Sequence, residues 1–137
     1  MEEKIHQVLQ EAINFHRAGK LSQAKIIYEK ILKIKSDHPD ANHNLGVLLV
    51  TNGQLEQSLK FFQVALDNNP NIAQFWLSYI QTLIKINRTD LAVTTLERAQ
   101  KQGISGLPFE KISQSLREHQ NNIIENCRDE KRDLAHS

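Results

Sequence analysis

An internal repeat of 34 residues constrains this chain more than any other feature. Shifted by that length, the sequence superimposes small or apolar residues at Ala12, Gly46 and Ile80, at Ala24, Ser58 and Ala92, and at Ile31, Ala65 and Ala99. Larger apolar residues superimpose at Tyr28, Phe62 and Leu96, and at Phe15, Leu49 and Leu83. Breakers fall at Gly19, Gly53 and Asn87, each inside a polar turn. Three copies in one frame imply a stack of like units, because one such unit cannot bury its apolar face without a neighbour.

Each set of superimposed positions has a physical reason. A small residue such as Ala24 or Ala92 lets two antiparallel helices approach to the roughly 8–10 Å of close packing. The bulky residues fill the space beside that contact. The Gly or Asn breaker supplies the left-handed backbone that closes a helix. Apolar spacing between breakers follows the helical period: Leu21, Ala24, Ile27, Tyr28 and Ile31 in one segment, Leu55, Ser58, Leu59, Phe62 and Ala65 in another. Pro39 and Pro70 sit between copies, where they end one helix or open the next. The pattern predicts an all-α chain of three antiparallel helix pairs, with helices near 2–18, 21–35, 40–52, 55–68, 72–86 and 89–102.

Gly103–Gly106 breaks the sixth helix, and Leu107-Pro108 opens a seventh. Phe109, Ile112, Leu116, Ile123 and Cys127 share one face of it, which suits a cap over residues 105–127 on the exposed end of the stack. Residues 128–137 are charged and are expected to fray.

These residues resemble the tetratricopeptide repeat family, whose small, aromatic and proline positions recur in a 34-residue frame. The middle copy, 39–72, carries the fullest match in Asn44-Leu45-Gly46, Gly53, Phe61-Phe62, Ala65-Leu66 and Asn69-Pro70. The third, 73–104, keeps Trp76, Ala92 and Ala99 but has Ile80 where Gly or Ala is preferred. The first, 5–38, keeps Ala12, Ala24 and Tyr28 but has Ser36 in place of proline. The resemblance implies a right-handed αα-superhelix that binds other proteins.

Composition narrows the function further. Seventeen Lys and Arg against sixteen Asp and Glu leave a net charge of +1, so no whole-molecule field selects nucleic acid or acidic lipid. The single Cys127 cannot form an internal bridge, Met1 leads into Glu2-Glu3-Lys4 with no signal-peptide stretch, and no window is apolar enough to span a membrane. The expectation is a cytoplasmic, non-enzymatic chain with no membrane or nucleic-acid partner.

Catalytic and metal constellations are missing from the sequence. Gly103 and Gly106 are isolated, with no phosphate-cradling loop around them. His6, His16, His38, His43, His119 and His136 include no zinc-spaced pair, so neither metal nor any other cofactor is expected. His119 and Cys127 lie about 12 Å apart along one helix, too far to act as base and nucleophile, and Cys127 is expected to be buried. Arg17, Lys20, Lys25, Lys30, Lys33 and Lys35 face only Glu29, a local excess of five positive charges that reads as a solvated outer face.

Stacked pairs rotate slightly, so the first helix of each lines a concave surface. The helical period places His6, Leu9, Gln10, Ile13 and Arg17 there from the first copy, His43, Asn44, Val47 and Thr51 from the second, and Gln74, Leu77, Ser78, Gln81 and Lys85 from the third. Leu9, Ile13, Val47 and Leu77 would form an apolar strip flanked by amides, suited to a peptide segment or partner domain. The resemblance raises the two-carboxylate clamp that grips chaperone C-termini. Asn44 matches its central asparagine, but Leu9, Ile13, Gln74 and Ser78 stand where Lys, Asn, Lys and Arg would be needed. Two further readings are the N-terminal module of a larger bacterial glycosyltransferase, sulfotransferase or methyltransferase, and weak self-association through an end face or the last helix.

Overall fold

The structure, a computed structural model, describes the backbone of residues 2–136 and the side chains of residues 2–128. Among these residues the order is α1 (Glu2–Arg17), α2 (Leu21–Ile34), α3 (Pro39–Thr51), α4 (Leu55–Asn68), α5 (Ala73–Lys85), α6 (Thr89–Lys101) and α7 (Leu107–His136), with no strand. The six helices predicted from periodicity match to within about a residue at each end. Consecutive helices pack on each other in antiparallel pairs α1–α2, α3–α4 and α5–α6, stacked in chain order.

The turns explain why the pairs are antiparallel. Gly19, Gly53 and Asn87 adopt φ of 78°, 80° and 63°, the left-handed backbone their sequence position requires. The residue after each donates its N–H to the carbonyl five positions back: Lys20 to Phe15 at 2.9 Å, Gln54 to Leu49 at 2.8 Å and Arg88 to Leu83 at 2.9 Å. This closure reverses the chain within three residues and satisfies carbonyls that a helix end leaves open. Gly103 ends α6 in the same way, with Ile104 bonded to Ala99 at 2.9 Å.

The links between repeats are held by a different device. Asn42 Nδ2 donates to the Ser36 carbonyl at 3.1 Å and to the His38 carbonyl at 2.8 Å. One repeat later, Trp76 Nε1 donates to the Pro70 carbonyl at 2.8 Å. Asn42 and Trp76 are equivalent positions, as are Ser36 and Pro70, so the third copy keeps an aromatic donor where the second uses an amide. Both side chains are buried, and each fixes the entry of its helix against the preceding turn. His38 and Pro39 add a cap: the His38 Nδ1 accepts from the Ala41 N–H at 3.1 Å, with the proline at the first helical position.

The superimposed small and apolar positions are buried throughout, except Phe15, which is half-buried, while the breakers Gly19, Gly53 and Asn87 are exposed. They divide into two clusters. Ile5, Leu9, Tyr28, Ile31, Leu45 and Leu49 belong to one that spans α1 to α3. Phe62, Trp76, Ile80, Leu96, Phe109 and Leu116 belong to another that spans α4 to α7. Between them, Gly46 on α3 faces the Phe62 ring on α4 so closely that an added Cβ would sit 2.6 Å from a ring carbon.

α7 caps the end of the stack over its first three turns only. Phe109 and Leu116 are buried and Ile112 is half-buried, but Ile123 is 49% exposed and Cys127 is exposed, against the burial predicted from their shared face. Past its first three turns α7 no longer packs closely: His119, Gln120 and Ile123 line an open depression of about 490 Å³ that they share with Asn87–Leu91. The helix continues to His136, through the segment where composition predicts a charged, fraying tail; the side chains of 129–137 lie outside the described residues.

Candidate functional site

α1, α3 and α5 contact one another in sequence, α1 with α3 and α3 with α5, and so share one side of the stack. On that side the middle and third repeats are joined by a polar chain. His43 Nε2 lies 2.8 Å from Ser78 Oγ, Gln74 Nε2 donates to the same Oγ at 3.2 Å, and His43 Nδ1 lies 3.4 Å from Asn44 Oδ1. These distances fit a neutral imidazole that accepts at Nε2 and donates at Nδ1. The ring stacks on Phe75 at 4.7 Å between centroids and leans on Phe62 at 5.6 Å. Burial among these groups lowers the His43 pKa below its ordinary value, opposed by the Asn44 hydrogen bond and the negative Asp40.

Beside this chain lies a depression of about 210 Å³ lined by Val47, Val50, Gln74, Ser78, Gln81 and Lys85, with Phe62 and Thr82 at its base. The expected groove residues Val47, Gln74, Ser78, Gln81 and Lys85 therefore meet at one place. Ile13, Asn44 and Leu77 are half-buried on the same helices, and Gln10, Arg17 and Thr51 are exposed.

Three expected groove residues are more enclosed than their helical phase suggested. Leu9 is only 4% exposed and belongs to the first core cluster, so it contributes to packing rather than to an open apolar strip. His43, at 8%, and Ser78, at 9%, form the floor rather than the lip. The cause is the crossing of α1, α3 and α5, which covers positions that a helical wheel leaves open. His6 is exposed but lines a separate depression with Glu2, Ile5, Lys35 and His38 at the first repeat's edge. Val50 and Thr82 also line the depression, and neither is among the residues that the helical period assigned to it; continuing that spacing one turn from Val47 and Ser78 reaches both.

Among the described residues no group of three His, Cys, Asp or Glu side chains is placed to hold a metal, and no helix is long and apolar enough to cross a membrane.

A family model described as tetratricopeptide repeat matches residues 15–76. No curated protein sequence matches the chain significantly. Among solved structures, the first TPR of Spaghetti (RPAP3), bound to the HSP90 peptide SRMEEVD, superimposes with a TM-score of 0.78 at 11% identity, covering 88% of this chain and 96% of that one. The type III secretion chaperone SycD of Yersinia enterocolitica, in complex with a peptide of the translocator YopD, gives 0.71 at 15% identity, covering 90% and 95%. YrrB, a TPR protein with an unusual peptide-binding site, gives 0.63 at 21% identity, covering 69% and 48%. At these identities the likeness is one of fold.

Proposed function

Because this chain is a tetratricopeptide-repeat solenoid, we propose that it is a protein-interaction module that takes a peptide segment of its partner on the face formed by α1, α3 and α5. The observation that carries the reading is the juxtaposition of half-buried Val47 with the side-chain amides of Gln74 and Gln81 around one depression. Amides at such a place bond the backbone of a segment, while the apolar base takes one of its side chains. The His43–Ser78 link holds the two repeats at a fixed spacing, so the face is organised before a ligand arrives and less ordering is required on binding. Peptides bound by Spaghetti and by SycD support the class of ligand.

The chemistry favours an internal segment over a C-terminal carboxylate. Leu9 and Ser78 are enclosed, Ile13 is apolar and Gln74 is neutral, which leaves Lys85 as the cation of the depression. The test is affinity capture on immobilised protein, quantified by mass spectrometry, with Val47→Glu/Leu77→Glu as the comparison. Captured partners should fall at least about tenfold while circular dichroism stays unchanged. Equal capture by the two proteins overturns the assignment of this face.

A further inference from the structure

The fold leaves the basic run of α2 without a role, and an apolar-floored depression lies beside that run, on the opposite side of the stack from the face described above. It measures about 450 Å³, within the range of ligand-binding clefts, and runs between α2 and α4. Its floor is apolar: Leu45 and Leu49 of α3 are buried beneath it, and half-buried Leu32 and Phe61 form its sides. Its rim is basic, with Lys25 and Lys33 from α2 and Lys60 from α4.

We propose that this outer groove is a second docking surface, built for an acidic segment of a partner protein that carries an apolar anchor residue. The charge pattern argues for that occupant. The one carboxylate on the rim, Glu29, lies 4.0 Å from the Lys25 ammonium, and both side chains remain well exposed. Among the described residues neither Lys33 nor Lys60 has an ion-pair partner, and the Lys60 Nζ rests 5.0 Å from the centroid of the Phe61 ring. Two ammonium groups without carboxylates therefore flank an apolar floor. An ordinary solvated lysine face has no such floor, and a neutral apolar segment would gain nothing from the rim. Gln54 and Gln57 add side-chain amides at the α4 edge that can bond a segment's backbone. A nucleic acid fits less well: Phe61 is half-buried in the wall and offers no open stacking face.

A phage-displayed library of random dodecapeptides selected on the intact chain tests this independently of the inner face. Selected sequences should carry Asp or Glu on both sides of an apolar residue. As fluorescein-labelled synthetic peptides they should bind about tenfold more weakly to Lys33→Glu/Lys60→Glu, weaken as ionic strength rises, and bind Val47→Glu/Leu77→Glu as they bind the unmodified chain. Lys33→Gln/Lys60→Gln, with an intermediate loss, separates charge from any disturbance of folding. Selection that yields no binder sensitive to the lysine substitutions overturns the proposal. So does tighter binding of a single-stranded thymidine oligonucleotide than of any selected peptide.

Discussion

At Gly46 and Gly53 the same substitution is costly for two different reasons. Alanine in mid-helix normally stabilises by about 1 kcal/mol over glycine. At Gly46 the new methyl would meet the Phe62 ring at 2.6 Å, and that ring is buried, so the ring or its helix would have to shift. Gly46→Ala should therefore lower stability by about 1–3 kcal/mol in urea unfolding, and Phe62→Leu should recover part of the loss, because the third repeat accommodates Ile80 opposite Leu96. Gly53 has open space around it but a φ of 80°, so Gly53→Ala should cost about 1–2 kcal/mol through backbone strain alone. His43 gives a residue-scale pH effect. Its pKa, like that of His16, is lowered by burial, so the unfolded chain binds more protons than the folded one as pH falls below about 6.5. Stability from these groups is complete above that pH and declines below it. The urea midpoint should drop between about pH 7.5 and about pH 5.5, and His43→Gln should flatten the decline. Residues such as Gly53 and Asn87 were legible in the sequence because a turn is local chemistry. Leu9, His43 and Ser78 were not, since their enclosure depends on how three helices cross.

Elements were legible where period and breaker agree, which is why α1 to α6 could be placed from spacing alone. α7 shows the limit of that reasoning. An apolar stripe at helical spacing tells which residues share a face, and it does not tell how far a neighbour extends beneath them. Phe109 and Leu116 are buried in the end of the core, whereas Ile123 and Ile124 stay 49% and 50% exposed, Ile123 across an open depression from Leu91. Leu116→Ala should lower stability by about 2–4 kcal/mol, as for other buried leucines, while ending the chain after Gln120 should leave the urea midpoint nearly unchanged. A large loss on truncation would mean that the outer part of α7 supports the stack. The outer groove was hidden for the opposite reason: Lys25, Lys33, Lys60 and Phe61 come from two helices whose spacing no single-helix pattern displays.

Across the whole molecule, two core clusters meet at the α3–α4 contact inside the middle repeat. Solenoid stability is close to a sum of unit and nearest-neighbour terms, so damage in one cluster should travel weakly into the other. Leu45→Ala, in the first cluster, should cost about 2–4 kcal/mol, and in hydrogen exchange it should reduce amide protection in α1 to α3 more than in α5 to α7. Uniform loss along the chain would show one cooperative block instead. The cap bears on another property of the whole. A stack of like units has no intrinsic end, and a bare terminal face would accept the first helix of the next copy head to tail, a contact that does not close and so grows fibres. α7 turns exposed Glu110, Lys111, Gln114 and Arg117 outward at that end. An approaching copy would have to strip water from three charges to join, so head-to-tail growth at that end is expected to be disfavoured; a molar mass that rises with concentration in light scattering would show the opposite.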